Sequence, residues 1–290
     1  MVMKRALRER LARGEFVVTM EVDPPRGADP WPVFEQIADV MPYLNAVNIA
    51  DSPTAKLRMS PIALAHLVQD RLQLETIFHL TCRDRNLLGL QSELLGAYGL
   101  GVANILTLTG DQPEIGDHPE ATAVFDVDSV GLAQMAERLN HGQDYLGRPL
   151  SDATDFFIGA VANPAQDDLT QEAARIRRKL DGGVKFFQTQ PIYTMEQLRH
   201  FQANTPQEVP FLYGIMPLKS AKQAQYLNKH VPGVQVPEEM IRILERDGRE
   251  GGLAWCRALI DEIRPMVSGI HIFPMGDYTL AESLVGDLWR

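Results

Sequence analysis

The chain has 290 residues, 45% of them hydrophobic, enough for one large α/β domain or two small ones with a substantial core. A formal net charge of −10 excludes a general polyanion binder, because neutralising phosphates needs a basic surface, and it favours a small-molecule substrate. Cys82 and Cys256 make no disulfide framework, zinc knuckle or CxxC redox pair, and no apolar run approaches membrane-spanning length, so a soluble cytoplasmic protein binding neither nucleic acid nor membrane is expected.

In chain order, Arg5 to Arg13 reads as a short amphipathic helix lying over one end of the fold. Phe16 to Val22 is a strand stopped by Asp23-Pro24-Pro25, because proline cannot donate to a ladder. Helical spacing runs from Pro32 to Met41, a strand from Asn45 to Ala50, a helix from Ser60 to Leu72, a strand ending at Thr81 and a helix from Asn86 to Tyr98. The stretch NILTLTGDQP, Asn104 to Pro113, is a fourth strand that Gly110-Asp111 turns out of the sheet. After a long loop come a helix from Asp128 to Asn140, the strand Phe156 to Ala162, and a helix behind the capping candidate Asp168. The strand Val184 to Gln190 stops at Pro191. A helix from Met195 to Ala203, a strand to Met216, a helix from Ser220 to His230, helical segments from Glu238 to Met266 and a strand from Gly269 to Phe273 complete the pattern.

Eight strands alternating with helices predict a TIM (β/α)8 barrel, one domain over residues 1–290 with a short N-terminal helix. Nucleotide fingerprints are absent: the glycines of GAYGLG, Gly96 to Gly101, precede a strand where a dinucleotide loop must follow one. Strand parity then assigns faces. Glu21 shares a face with Thr19 and Val17; Asn48 opposes Val47 and Ile49; His79 and Thr81 oppose Phe78 and Leu80; Asp111, Thr109 and Thr107 oppose Leu106 and Leu108; Gln190 and Gln188 oppose Phe187. The polar set is expected in the lumen near the C-terminal mouth, where barrel enzymes carry their chemistry. Each residue has an ordinary alternative: Glu21 a solvated carboxylate, Asp111 an Asx-turn former, His79 a core histidine, Lys179 a surface charge, Cys82 a small hydrophobe. Five strands placing an idle polar group at one rim is the less economical account.

Several motifs converge on one family. They are Glu21 with Pro24-Pro25, HLTCRDRN (His79 to Asn86), LTGDQP (Leu108 to Pro113), Asn163-Pro164, RRKLDGG (Arg177 to Gly183), TQPIY (Thr189 to Tyr193) and GIMP (Gly214 to Pro217). Over almost its whole length the chain resembles the methylenetetrahydrofolate reductase family. NIADSP at Asn48 to Pro53 and RMS at Arg58 to Ser60 look closer to the branch found in acetogens and in methyltransferase-fused reductases. The resemblance implies a barrel that uses a flavin, FAD or FMN, to reduce 5,10-methylenetetrahydrofolate with NADH or NADPH, alone, as a homo-oligomer, or with an electron-delivering partner subunit. A non-catalytic folate or flavin binder is the remaining alternative. Carried over by position, Glu21 is the general acid, Asp111 the carboxylate between flavin and folate, and Gln190 and Gln223 contact folate or nicotinamide. Asn48, His79, Thr109, Gly110, Asn163, Glu172 and Lys179 fall where the family lines its flavin. Asn48, Thr109, Asn163 and Leu227 depart from the better-known threonine, arginine, histidine and aromatic residue.

Overall fold

The computed structural model describes residues 6–166, 168–231 and 233–289. Eight parallel strands, β1 (Val17–Val22), β2 (Ala46–Ile49), β3 (Glu75–Thr81), β4 (Asn104–Leu108), β5 (Phe157–Ala162), β6 (Phe186–Pro191), β7 (Phe211–Ile215) and β8 (Gly269–Ile272), pair in sequence order. β8 closes on β1, with Thr19 opposite His271, so the expected barrel is present. Around it run α1 (Ala6–Ala12), α2 (Trp31–Val40), α3 (Pro61–Leu72), α4 (Leu87–Gly99), α5 (Ser129–Asn140), α6 (Leu169–Asp181), α7 (Met195–Asn204), α8 (Ala221–His230), α9 (Glu238–Ile263) and α10 (Leu280–Val285). α9 is broken at Gly248, where the backbone leaves helical geometry, and α10 has no counterpart in the sequence reading. Among the described residues no helix is long and apolar enough to cross a membrane.

Local chemistry sets the helix starts. Ser60, Asn86, Asp128 and Asp168 each accept hydrogen bonds from backbone N–H groups of the first turn, and Thr194 with Gln197 forms a reciprocal capping box. Outward-facing strand residues such as Met20, Val47, Phe78, Ile105, Ile158, Phe187 and Ile270 bury against this helical ring.

The N-terminal end of the lumen is filled by apolar side chains. Leu7 and Leu11 of α1 join Val17, Ala46, Ile77, Leu106, Phe157, Phe186 and Leu212 there. Beside them Glu75 accepts the Leu7 N–H at 2.9 Å and the Asn104 amide at 2.8 Å. Helix α1 is thus the expected lid over one end; Arg5 lies outside the described residues. Leu7→Ala should open a cavity in this plug and lower stability by about 2–4 kcal/mol. Urea unfolding would show it, and an unchanged midpoint would mean that α1 contributes nothing to the barrel floor.

One parity assignment is corrected. In β4 the lumen face carries Leu106 and Leu108, while Thr107 turns outward beside Ile105 and donates its hydroxyl to the Gly159 carbonyl at 3.1 Å. A threonine that satisfies its hydroxyl on a neighbouring strand's backbone sits on the helix-facing side as comfortably as a valine. Thr109 and Asp111 reach the mouth because the strand has already ended at Leu108. Gly110 then takes φ +96°, and a Cβ there would lie 3.0 Å from that of Thr81.

β6 also departs from expectation by running through Pro191, with a register shift against β7 between Gln188 and Pro191. The Thr189 hydroxyl accepts the Gly214 N–H at 2.9 Å across this irregularity. Only glycine fits at 214, since a Cβ would meet the Thr189 carbonyl oxygen at 2.6 Å.

Candidate active site

At the C-terminal mouth a cavity of about 340 Å³ is lined by residues from the ends of most strands. Its lining mixes the apolar Leu106, Leu108, Val161 and Phe273 with the polar Glu21, Thr81, Arg83, Asp111, Gln188 and Gln190. A second cavity of about 370 Å³ adjoins it and shares Thr109, Val161 and Gln190. Into that one project Arg175, Arg178 and Lys179 of α6, with Glu172, Asp128 and Asn163.

Glu21 is half-buried at the foot of the first cavity, and among the described residues it accepts no hydrogen bond. Burial, with Asp23 adding its charge, pushes its pKa up to about 7. The proton affinity raised on folding has a stability consequence. Below about pH 4.5 both folded and unfolded states hold the proton and nothing is lost; between there and pH 7 a growing penalty appears, complete above 7. Glu21→Gln removes it, so the variant should be more stable than the parent at pH 8 by on the order of 2–3 kcal/mol and no more stable at pH 4. Thermal unfolding at the two pH values measures this; equal Tm differences at both would mean that the carboxyl is effectively in water.

Asp111 stands exposed at the rim and accepts the Thr54 N–H at 3.1 Å from the loop after β2. That loop is tied down further: Met59 N–H bonds the Pro25 carbonyl, Leu57 N–H bonds Asp117, and Arg26 pairs with Asp117 at 2.8 Å. The loops after β1, β2 and β4 therefore form one continuous side of the mouth.

The sequence reading assigned no role to three charged residues beside it. Asp51 accepts the Thr81 N–H and hydroxyl, both at 2.9 Å, and pairs with Arg85 at 2.7 Å. Arg83, 3% exposed, lines the cavity with its guanidinium on Asp84 and the Ser52 carbonyl. Their only signal was their place in NIADSP and CRDRN, just past strand ends. His271 was missed too, although it alternates with Ile270 and Ile272 as His79 does with its neighbours.

One layer below the cavity lies a polar cluster drawn from five strands. Asn48, His79, Gln188, Thr19 and His271 are buried and hydrogen-bonded to one another. His79, Gln188 and His271 reach the cavity; Asn48, 0% exposed, does not line it. Asn48, expected to contact a cofactor, has its amide bonded to His79 and Gln188.

Gln223 lies apart from the two cavities. Its side-chain carbonyl accepts the Lys219 N–H at 2.9 Å at the start of α8, and it lines neither cavity. Leu227, on the same helix, is buried in the outer core. Cys82 is buried with its thiol pushed up to about 12, as a packing residue should be.

Of the remaining residues named from the sequence, Thr109, Asn163, Glu172, Lys179 and Gln190 line the second cavity and Gly110 the first. Lys179 donates to the Val161 carbonyl at 2.6 Å, and burial lowers its pKa against the opposing pull of Glu172. Glu172 accepts the Asn163 N–H at 2.9 Å and meets Arg175 at 3.4 Å. Thr109 accepts the Ser129 N–H at 3.2 Å, anchoring α5 to the turn that carries Gly110. Three cations and the carboxylates of Glu172 and Asp128 thus surround a space that opens onto the first cavity.

Comparison with known proteins gives the family. The sequence profile of the methylenetetrahydrofolate reductase family matches residues 6–285. The chain is 24% identical to the 5,10-methylenetetrahydrofolate reductase of Salmonella typhimurium, covering 84% of this chain and 88% of that one. It is 26% identical to a probable methylenetetrahydrofolate reductase (NADH) of Oryza sativa, covering 94% of this chain and 47% of the relative. Among solved structures, a Clostridium thermocellum protein that binds two copies of 5-methyl-5,6,7,8-tetrahydrofolic acid shares the fold, with TM-score 0.67, 15% identity, and coverage of 98% of this chain and 99% of that one. With an acidic, cation-flanked mouth on a closed barrel and a profile match from end to end, the chain belongs to the methylenetetrahydrofolate reductase family.

Proposed function

We propose that this chain reduces 5,10-methylenetetrahydrofolate to 5-methyltetrahydrofolate, with NADH or NADPH as the source of electrons. The observation that carries the reading is Glu21, a carboxyl at the foot of the cavity whose pKa of about 7 lets it hold a proton at neutral pH. Opening the methylene bridge needs a proton on the folate nitrogen at position 10, which leaves a five-iminium cation able to accept hydride. A protonated Glu21 supplies that proton, and Asp111 offers a fixed negative charge to the cation. Gln190 carries both a donor and an acceptor and lines both cavities, which suits orienting the pterin edge.

A flavin, FAD or FMN, supplies the hydride carrier when bound. Arg175, Arg178 and Lys179 would hold its phosphates, with Asn163 and Glu172 beside them in the second cavity, Thr109 where the two cavities meet, and Gly110 and His79 lining the first. Leu106, Leu108 and Phe273, distributed around the lining, would help exclude water.

The test is direct. Purified protein supplied with FAD or FMN, 5,10-methylenetetrahydrofolate and NADH or NADPH under anaerobic conditions should yield 5-methyltetrahydrofolate, detected by chromatography. Product appearing only with a reduced artificial dye would favour the form that depends on an electron-delivering subunit, a reading motivated by the NIADSP and RMS segments. No product with any donor would overturn the proposal.

A further inference from the structure

We propose that the amides of Asn48 and Gln188 and the hydroxyl of Thr19 lock His79 and His271 into opposite tautomers. His79 then presents Nδ1–H and His271 presents Nε2–H to the cavity, and its floor becomes a paired hydrogen-bond donor for the acceptor edge of a bound heteroaromatic ring.

The available hydrogens fix the tautomers. Asn48 and Gln188 face each other as a reciprocal amide pair: Asn48 Nδ2 donates to Gln188 Oε1 at 2.6 Å, and Gln188 Nε2 donates to Asn48 Oδ1 at 3.1 Å. An amide nitrogen has two hydrogens and no available lone pair. The second hydrogen of Asn48 Nδ2 therefore goes to His79 Nε2, 3.0 Å away, which must accept and so carries no proton. The second hydrogen of Gln188 Nε2 goes to Thr19 Oγ1 at 3.2 Å. That hydroxyl has one hydrogen and two acceptors within reach, His271 Nδ1 at 2.9 Å and the Ile270 carbonyl at 3.4 Å, and the shorter contact takes it. His271 Nδ1 is then also bare.

Both imidazoles are neutral at physiological pH, since burial lowers His79 to about 4 and His271 to about 3. A neutral imidazole holds one proton, so each is left on the ring nitrogen away from the network. Those two nitrogens have no partner among the described residues, and both rings line the cavity. His271 is further held by Phe273, edge to face at 4.7 Å between ring centres. Because the amide pair can be read in only one direction at a time, the two histidines are coupled: reversing it would turn both faces from donors into acceptors together.

Asn48, Gln188 and Thr19 are thus positioning residues, and His79 and His271 are the donors they aim. The ring edges with carbonyl oxygens and bare ring nitrogens that such a floor takes are those of a pterin or of an isoalloxazine. That identification rests on the function proposed above; the tautomers do not.

The experiment uses ligand-free protein with 15N-labelled histidine at pH 7 and long-range 1H–15N correlation, which reads the protonated nitrogen of each ring. His79→Asn and His271→Asn assign the two signals by their disappearance. One tautomer per ring, Nδ1–H for His79 and Nε2–H for His271, is the expected pattern. The near-isosteric Thr19→Val should abolish the single-tautomer pattern of His271 and leave that of His79 in place. The opposite tautomers, a mixture in the parent protein, or no effect of Thr19→Val on His271 would overturn the lock. Adding FMN in one sample and 5-methyltetrahydrofolate in another should shift an imidazole N–H proton, and which addition does so identifies the ring. If neither shifts either proton, the floor is not a donor site, a result independent of whether the enzyme forms product.

Discussion

Glu21→Gln should reduce formation of 5-methyltetrahydrofolate by about 10²- to 10⁴-fold, the range typical of losing a positioned general acid. The substitution is nearly isosteric and keeps hydrogen-bonding capacity, so the cavity shape survives, but an amide has no proton to give to the folate nitrogen. Because the parent carboxyl is disfavoured when ionised, the variant should also be at least as stable as the parent at pH 8. A slow enzyme that is no less stable separates chemistry from folding. If single-turnover product formation in Glu21→Gln matches the parent, another group delivers the proton.

Asp111→Asn should slow the same reaction by about a hundredfold, on the order of 3 kcal/mol in the barrier, the usual cost of removing one preorganised electrostatic contact. The fold should be unaffected, because the carboxylate is exposed and an asparagine carbonyl can still accept the Thr54 N–H. The discriminating readout is the ratio of effects: a fall in kcat with little change in KM marks stabilisation of the developing cation, whereas a rise in KM alone would make Asp111 a binding residue only.

Most of the fold was legible because proline, glycine and asparagine punctuate it. Asp23-Pro24-Pro25, Gly110-Asp111 and Asn163-Pro164 each stop an apolar run, and the alternation of strand and helix then leaves little choice but a barrel. Parity correctly placed Glu21, Asn48, His79 and Gln188 on lumen faces. It misled in β4, where alternating threonines imitate a polar face although Thr107 finds its acceptor on the Gly159 carbonyl. Depth along a strand was not readable: nothing in NAVNIA says that Asn48 stops one layer short of the cavity. The bond from the Lys219 N–H to Gln223 at the start of its own helix is a local contact that spacing does not announce, and Arg83 and Asp51 lie in loops without periodicity. His271 could have been found, since GIHIF alternates as plainly as ETIFHLT.

The central claim is that a carboxyl of raised proton affinity at the barrel mouth drives folate reduction, and its most direct test is the pH dependence of kcat/KM for 5,10-methylenetetrahydrofolate. That ratio reports ionisation of the free enzyme. At saturating electron donor the profile should be level on the acid side and fall in proportion to proton concentration above a pKa near 7, with that limb absent from the residual activity of Glu21→Gln. A profile that stays level well above neutral pH, or a limb that persists unchanged in the variant, would contradict the account.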